Sequence, residues 1–281
     1  MAFAAYVDDD ETIEHAPAIV RLTRDLAQAA RTMGPKEARF LVDAYYTSQE
    51  NRKRAANQAR ALQTSEQPEP HVLIDWLFSQ SKILEAQIKR ALDQYTQEHV
   101  MGSWMREIVG IGPVISAGIL AHLETPRPTA GRIYAFAGLA ADGQKPWSRN
   151  EKRPYNTQLK TLCWHAGQSF MKLSNRDDCF YGRLYRERKA FEQRMSDEGK
   201  RAETAKEWLP RVGAKTEAFK HYSAGRLPPS QIDGRARRWA VKLFLSHMNE
   251  IWLIRTGQTP VAPFAQAHLG HADYIPPPIP A

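Results

Sequence analysis

From Ile108 the chain reads Ile108-Val109-Gly110-Ile111-Gly112-Pro113-Val114-Ile115, then Ser116-Ala117-Gly118-Ile119-Leu120. An apolar residue between two glycines, followed by proline, joins two apolar helical stretches in the pattern of a helix-hairpin-helix motif. Gly110 and Gly112 can take backbone angles closed to residues that carry a Cβ, and Pro113 lacks an amide proton and suits the first turn of a helix. The second helix therefore starts at the loop. Its first-turn N–H groups and the positive end of its dipole face outward, a ready seat for a phosphate whatever base it belongs to. Gly110, Ile111, Gly112 and Val114 are the residues expected to present backbone there, while Pro113 shapes the helix start without donating. The competing interpretation is a plain tight turn between packed helices. Ile108, Ile111, Val114, Ile115, Ile119 and Leu120 supply a buried face on both flanks. No β-branched run leads into the glycines and no third glycine has the right spacing, which argues against a dinucleotide-binding loop.

Charge bears on that choice. The chain has 281 residues and a formal net charge of +8, with a pI near 9.5, so an acidic partner such as nucleic acid is expected. Two cysteines, Cys163 and Cys179, fall in helical segments without a second pair to make a metal knuckle. Together with an acidic N-terminus (Asp8, Asp9, Asp10, Glu11) that does not read as a signal peptide, they are expected to be reduced thiols in the cytoplasm, near the nucleoid. No apolar run is long enough to span a bilayer, so no membrane partner is expected.

Periodicity makes the whole chain all-α. Residues 1–16 read as a disordered leader. Residues 17–100 read as a helical hairpin: Gly34-Pro35 ends one helix and starts the next, which runs to about Leu62. The polar segment Ser65 to Pro70 connects it to a third helix carrying Leu73, Leu77, Leu84, Ile88, Leu92 and Tyr95 as a packing seam. This seam either folds back on the core or pairs with a second subunit, which leaves a homo-oligomer open. Residues 101–256 hold the glycine-proline turn and the helices after it, and residues 257–281 read as a proline-rich extended tail.

Two further basic clusters stand out. Ala140 to Tyr155 reads as a loop with Lys145, Arg149, Lys152 and Arg153 beside Trp147 and Tyr155, a mixture suited to a nucleic-acid backbone with some base stacking. Arg235, Arg237 and Arg238 sit in the first half of the last strong helix, which Pro228-Pro229 introduces. Cations there oppose the helix dipole, a placement easier to understand with an anionic partner. His268, His271 and Asp273 lack a helix or a fourth ligand, so no metal site is assigned.

The block from Ile108 to Pro113, through Tyr134-Ala135-Phe136-Ala137-Gly138-Leu139, to Asn156-Thr157-Gln158-Leu159-Lys160 resembles the C-terminal domain of the insertion-sequence transposases that use a bridge RNA. The resemblance extends from Ile108 to Ala166. It implies a DNA recombinase whose loop carries a nucleophilic serine, and Ser148 stands in the corresponding loop. That chemistry would take magnesium held by carboxylates of an N-terminal RuvC-like domain. The chain instead opens with helical patterns, and no strand-led RuvC-like domain is apparent.

The expectation is an all-α DNA-binding protein, a helical hairpin joined to a helix-hairpin-helix domain, that grips phosphates without sequence preference. Binding would require no cofactor; magnesium enters only if the chain is catalytic. Two alternatives are a serine-dependent recombinase acting with a partner's carboxylates and a structural or RNA-associated assembly protein.

Overall fold

The computed structural model describes residues 24–62, 72–140, 150–261 and 274–278. Regular structure among them is helical throughout: α1 (Arg24–Arg31), α2 (Pro35–Leu62), α3 (Val72–Glu98), α4 (Gly102–Glu107), α5 (Pro113–Leu123), α6 (Ala130–Phe136), α7 (Thr157–Lys172), α8 (Phe180–Asp197), α9 (Ala202–Trp208), α10 (Glu217–Ser223) and α11 (Pro229–Arg255). The all-α class read from periodicity is the class observed. The leader and the polar connector lie outside the described residues.

Helices α2 and α3 form the antiparallel hairpin. Ala38 and Val42, early in α2, share a core with Leu92 and Tyr95, late in α3, while Arg52 and Glu85 meet midway at 2.6 Å. The leucine seam is divided between two environments. Leu92 and Tyr95 are buried and Ile88 packs against them, whereas Leu73 and Leu77 at the other end stay more than half exposed. The hairpin base and the region after residue 101 share this core, which runs from Ala38 to Trp252.

The core is organised around α5, which packs against α2, α3 and α7. Nearly every residue from Val114 to Leu123 is buried, as expected of a helix apolar on all sides. Gly118 permits the close approach of α7, since a Cβ there would lie 2.7 Å from Leu162 Cδ1. Below it Trp104 stacks on Phe244, ring centres 6.0 Å apart, and Phe170 and Tyr181 close the aromatic cluster. Large buried rings of this kind dominate the energetics of such cores.

Three local features refine this picture. The charged stretch from Cys179 to Leu209 holds two helices, because α8 ends at Asp197 and Gly199 turns the chain with φ +73° before α9. Residues 211–226 contain α10, capped by Thr216 Oγ1 accepting from the Phe219 amide at 3.2 Å. Part of the tail returns to the body: Tyr274 donates to Glu250 at 2.5 Å, and the Ile275 carbonyl lies 2.8 Å from His247 Nε2. Cys163 and Cys179 are buried free thiols, and burial pushes Cys163 up to about 12. No described helix is long and apolar enough to cross a membrane.

Candidate functional site

The turn between α4 and α5 is built from one strained and one relaxed glycine. Gly110 has φ +100°, a region that disfavours any side chain, and a Cβ there would press on Phe170 Cδ1 at 3.2 Å. Gly112 has ordinary extended angles, φ −86° and ψ 173°, so conformational freedom is not what it supplies. Instead it is exposed, with nothing within 4 Å of a Cβ. The Ile111 and Val114 side chains are buried and anchor the turn in the core.

Backbone donors are distributed unevenly. The Ile111 amide is already engaged with the Ile108 carbonyl at 3.0 Å, which removes it from the expected phosphate ligands. The first bond within α5 runs from the Ser116 amide to Gly112 O at 3.0 Å. Val114 and Ile115 therefore sit in the first turn, where a helix leaves its N–H groups without helical partners. Gly112, as N-cap, makes no side-chain cap bond.

Beside this helix start lies a cleft of about 500 Å³ between α3 and the turn, lined by Lys89, Arg90 and Asp93 from α3, Arg106 from α4, and Gly112. Three cations and one carboxylate face a positive helix end. Arg106 Nη1 is 3.5 Å from Asp93 Oδ1, which holds the guanidinium over the cleft. Lys89 and Arg90 carry no distinguishing sequence signal beyond being adjacent cations on the outer face of the leucine helix. The docking of α3 against α5 brings them here.

The other predicted residues lie elsewhere. Lys145, Ser148 and Arg149 fall outside the described residues, as do His268, His271 and Asp273. Lys152 and Arg153 are exposed and lead into Asn156, which caps α7 through Oδ1 accepting from the Leu159 amide at 2.9 Å. The Asn156 Nδ2 also lies 3.1 Å from His122 Nδ1, near the last turn of α5. The basic loop is thus rooted at the opposite end of α5 from Gly112, about 15 Å along the axis at about 1.5 Å per residue.

Arg235 and Arg237 have internal anions. Arg235 bonds Glu192 at 2.9 Å, and Arg237 lies 2.7 Å from Asp233; Arg238 is exposed on the same turn. Glu192 is only 1% exposed and also takes Arg188 at 2.6 Å and Arg201 at 2.8 Å. Burial alone would raise its pKa, but Arg235, Arg188 and Arg201 outweigh it and the net shift is downward. Arg235 and Arg237 are thereby explained without an external partner. Among the described residues no group of three or more His, Cys, Asp or Glu side chains could hold a metal ion.

These features define a helical protein with an open, cation-lined helix start. No family model, curated protein or solved structure matches the chain.

Proposed function

We propose that this protein binds DNA through the sugar-phosphate backbone, with α4, the glycine-proline turn and α5 acting as a helix-hairpin-helix. A phosphate oxygen at the mouth of the cleft meets the first-turn amides of α5, from Val114 and Ile115, while Lys89, Arg90 and Arg106 supply counter-charge. The observation that carries this is the convergence of three cations from two helices on the exposed Gly112 side of the turn. Helix N-termini favour anions, and lysine or arginine on phosphates gives affinity without sequence information. The transposase resemblance carries the further proposal that the DNA is that of a mobile element undergoing recombination.

The test is Gly112→Glu, assayed by gel shift on duplex DNA and by circular dichroism. A side chain has room at this position, so the fold persists while the added carboxylate repels phosphate. Loss of binding with retained helicity supports the proposal; unchanged binding overturns it.

A further inference from the structure

A second cavity, about 380 Å³, opens between α2, α5 and α7, lined in part by Asp43, Tyr46, Glu50, His122, Gln158 and His165. Its volume falls within the range of small-ligand sites, roughly 300–1,000 Å³. Its walls include a flat aromatic surface: Tyr46 and His165 are stacked, ring centres 4.5 Å apart and 8° from parallel.

Its polar groups have assignable roles. Because Asn156 Oδ1 accepts from the Leu159 amide, the atom facing His122 Nδ1 is the amide nitrogen, which can only donate. His122 Nδ1 is therefore an acceptor and the ring proton sits on Nε2. The imidazole is 7% exposed, and burial, then Arg39, lowers its pKa to about 4, so it is neutral near pH 7 and offers one N–H. On the α2 wall of the same cavity Asp43 Oδ2 accepts from Gln158 Nε2 at 2.7 Å, leaving Oδ1 as an acceptor. A flat ligand edge with a ring-nitrogen acceptor next to an amine donor matches this pair of groups. Adenine and cytosine both present such an edge.

The surroundings suit a nucleotide rather than a free base. Trp164 is 55% exposed and stands edge-on to His165, ring centres 5.1 Å apart, giving a ledge for a neighbouring base. Lys53 stands at the cavity edge, its Nζ 2.8 Å from Glu50 Oε1 on the cavity wall, and burial, then Lys53 and Lys172, lowers the pKa of His165. The basic loop at Lys152 and Arg153 enters at the same end of α5, through Asn156.

We propose that this cavity receives one unstacked adenine or cytosine of a single-stranded nucleic acid, with Trp164 stacking the adjacent base. It rests on the nucleic-acid reading above, and places a base-sensitive single-strand site at the far end of α5 from the phosphate grip. Aromatic platforms flanked by cations are the general means of holding single strands, and pockets that take up an unstacked base read its edge by hydrogen bonds.

The test measures fluorescence anisotropy of labelled hexamers of adenine, cytosine, thymine and abasic nucleotides with the full chain, alongside a duplex. Adenine and cytosine hexamers are expected to bind at least about tenfold more tightly than the abasic one. Trp164→Ala should weaken them by between about five- and 150-fold and leave duplex affinity unchanged. Asp43→Ala, an exposed change that spares the core, should abolish the preference for adenine and cytosine over thymine. Equal binding of adenine and abasic hexamers, or of adenine and thymine hexamers, overturns the pocket. If that happens while Gly112→Glu still weakens duplex binding, the phosphate grip stands alone; if neither duplex nor hexamer binds, both proposals fall.

Discussion

Arg106 of α4 and Asp93 of α3 meet across the cleft beside Gly112, Nη1 to Oδ1 at 3.5 Å. The pair orients the arginine but leaves a carboxylate where a phosphate is proposed to sit. Asp93→Asn should therefore tighten duplex binding by about fivefold, a change on the order of 1 kcal/mol for one like charge removed near the surface. Stability should hardly alter, because a partly exposed pair at 3.5 Å contributes little. Weaker binding in a titration of this variant would mean that the pair matters for orientation more than for charge.

Gly110 and Gly112 should respond in opposite ways to substitution. Gly110→Ala places a Cβ at φ +100° and against Phe170, a cost of about 1–3 kcal/mol in folding stability. Gly112→Ala meets open space and should be near neutral in the same urea denaturation series. Equal losses at both positions would contradict the assignment of strain to Gly110 alone.

Glu192 anchors three arginines from α8, α11 and the turn before α9. Glu192→Gln leaves those cations without their carboxylate, and breaking a buried pair is strongly destabilising. About 3 kcal/mol is expected, at the lower end for such a change, since the arginine side chains keep 19–29% exposure and can turn toward water. The exposed Glu217–Lys220 pair, at 2.6 Å, provides the control: Glu217→Gln should leave chemical denaturation unchanged.

His122 and His247 make the fold acid-sensitive before its carboxylates do. Burial lowers both imidazoles to about 4, below the ordinary value near 6.5. As pH falls from about 6.5 to 4 the unfolded chain takes up protons that these folded imidazoles refuse, so stability drops through that window, by on the order of 3 kcal/mol for each. Glu192 and Asp233 have lowered pKa values; their contributions are fully present above the unfolded carboxylate value and disappear only below it, as pH falls through the folded ones. His247→Gln removes the titration while its amide can still meet the Ile275 carbonyl. Urea midpoints at pH 7, 5.5 and 4.5 should show a shallower decline in the variant; an identical decline would refute the assignment.

The helices were legible because their signals are local. Pro35 to Leu62 is bounded by a proline start and a polar connector, and Asn156 announces its cap by residue type and position. The partners of Arg235 were not legible, because Glu192 lies 43 residues away on another helix and nothing in the neighbouring sequence signals it. Only tertiary packing converts an apparently unfavourable run of cations at a helix start into an internal network. The cleft was half legible for the same reason. Gly112 and Pro113 mark the turn, but Lys89 and Arg90 join them through the register at which α3 docks on α5, which depends on how Leu92 and Tyr95 fit beside Val42.

The most direct measurement is the salt dependence of duplex affinity for the wild type and for the triple variant Lys89→Ala, Arg90→Ala, Arg106→Ala. Each phosphate contact contributes about −0.9 to the slope of log affinity against log salt. A wild-type affinity that falls steeply with salt, and a slope reduced by about 2.7 in the triple variant, is the predicted result. An affinity indifferent to salt, or a slope the three substitutions leave unchanged, would contradict the phosphate grip.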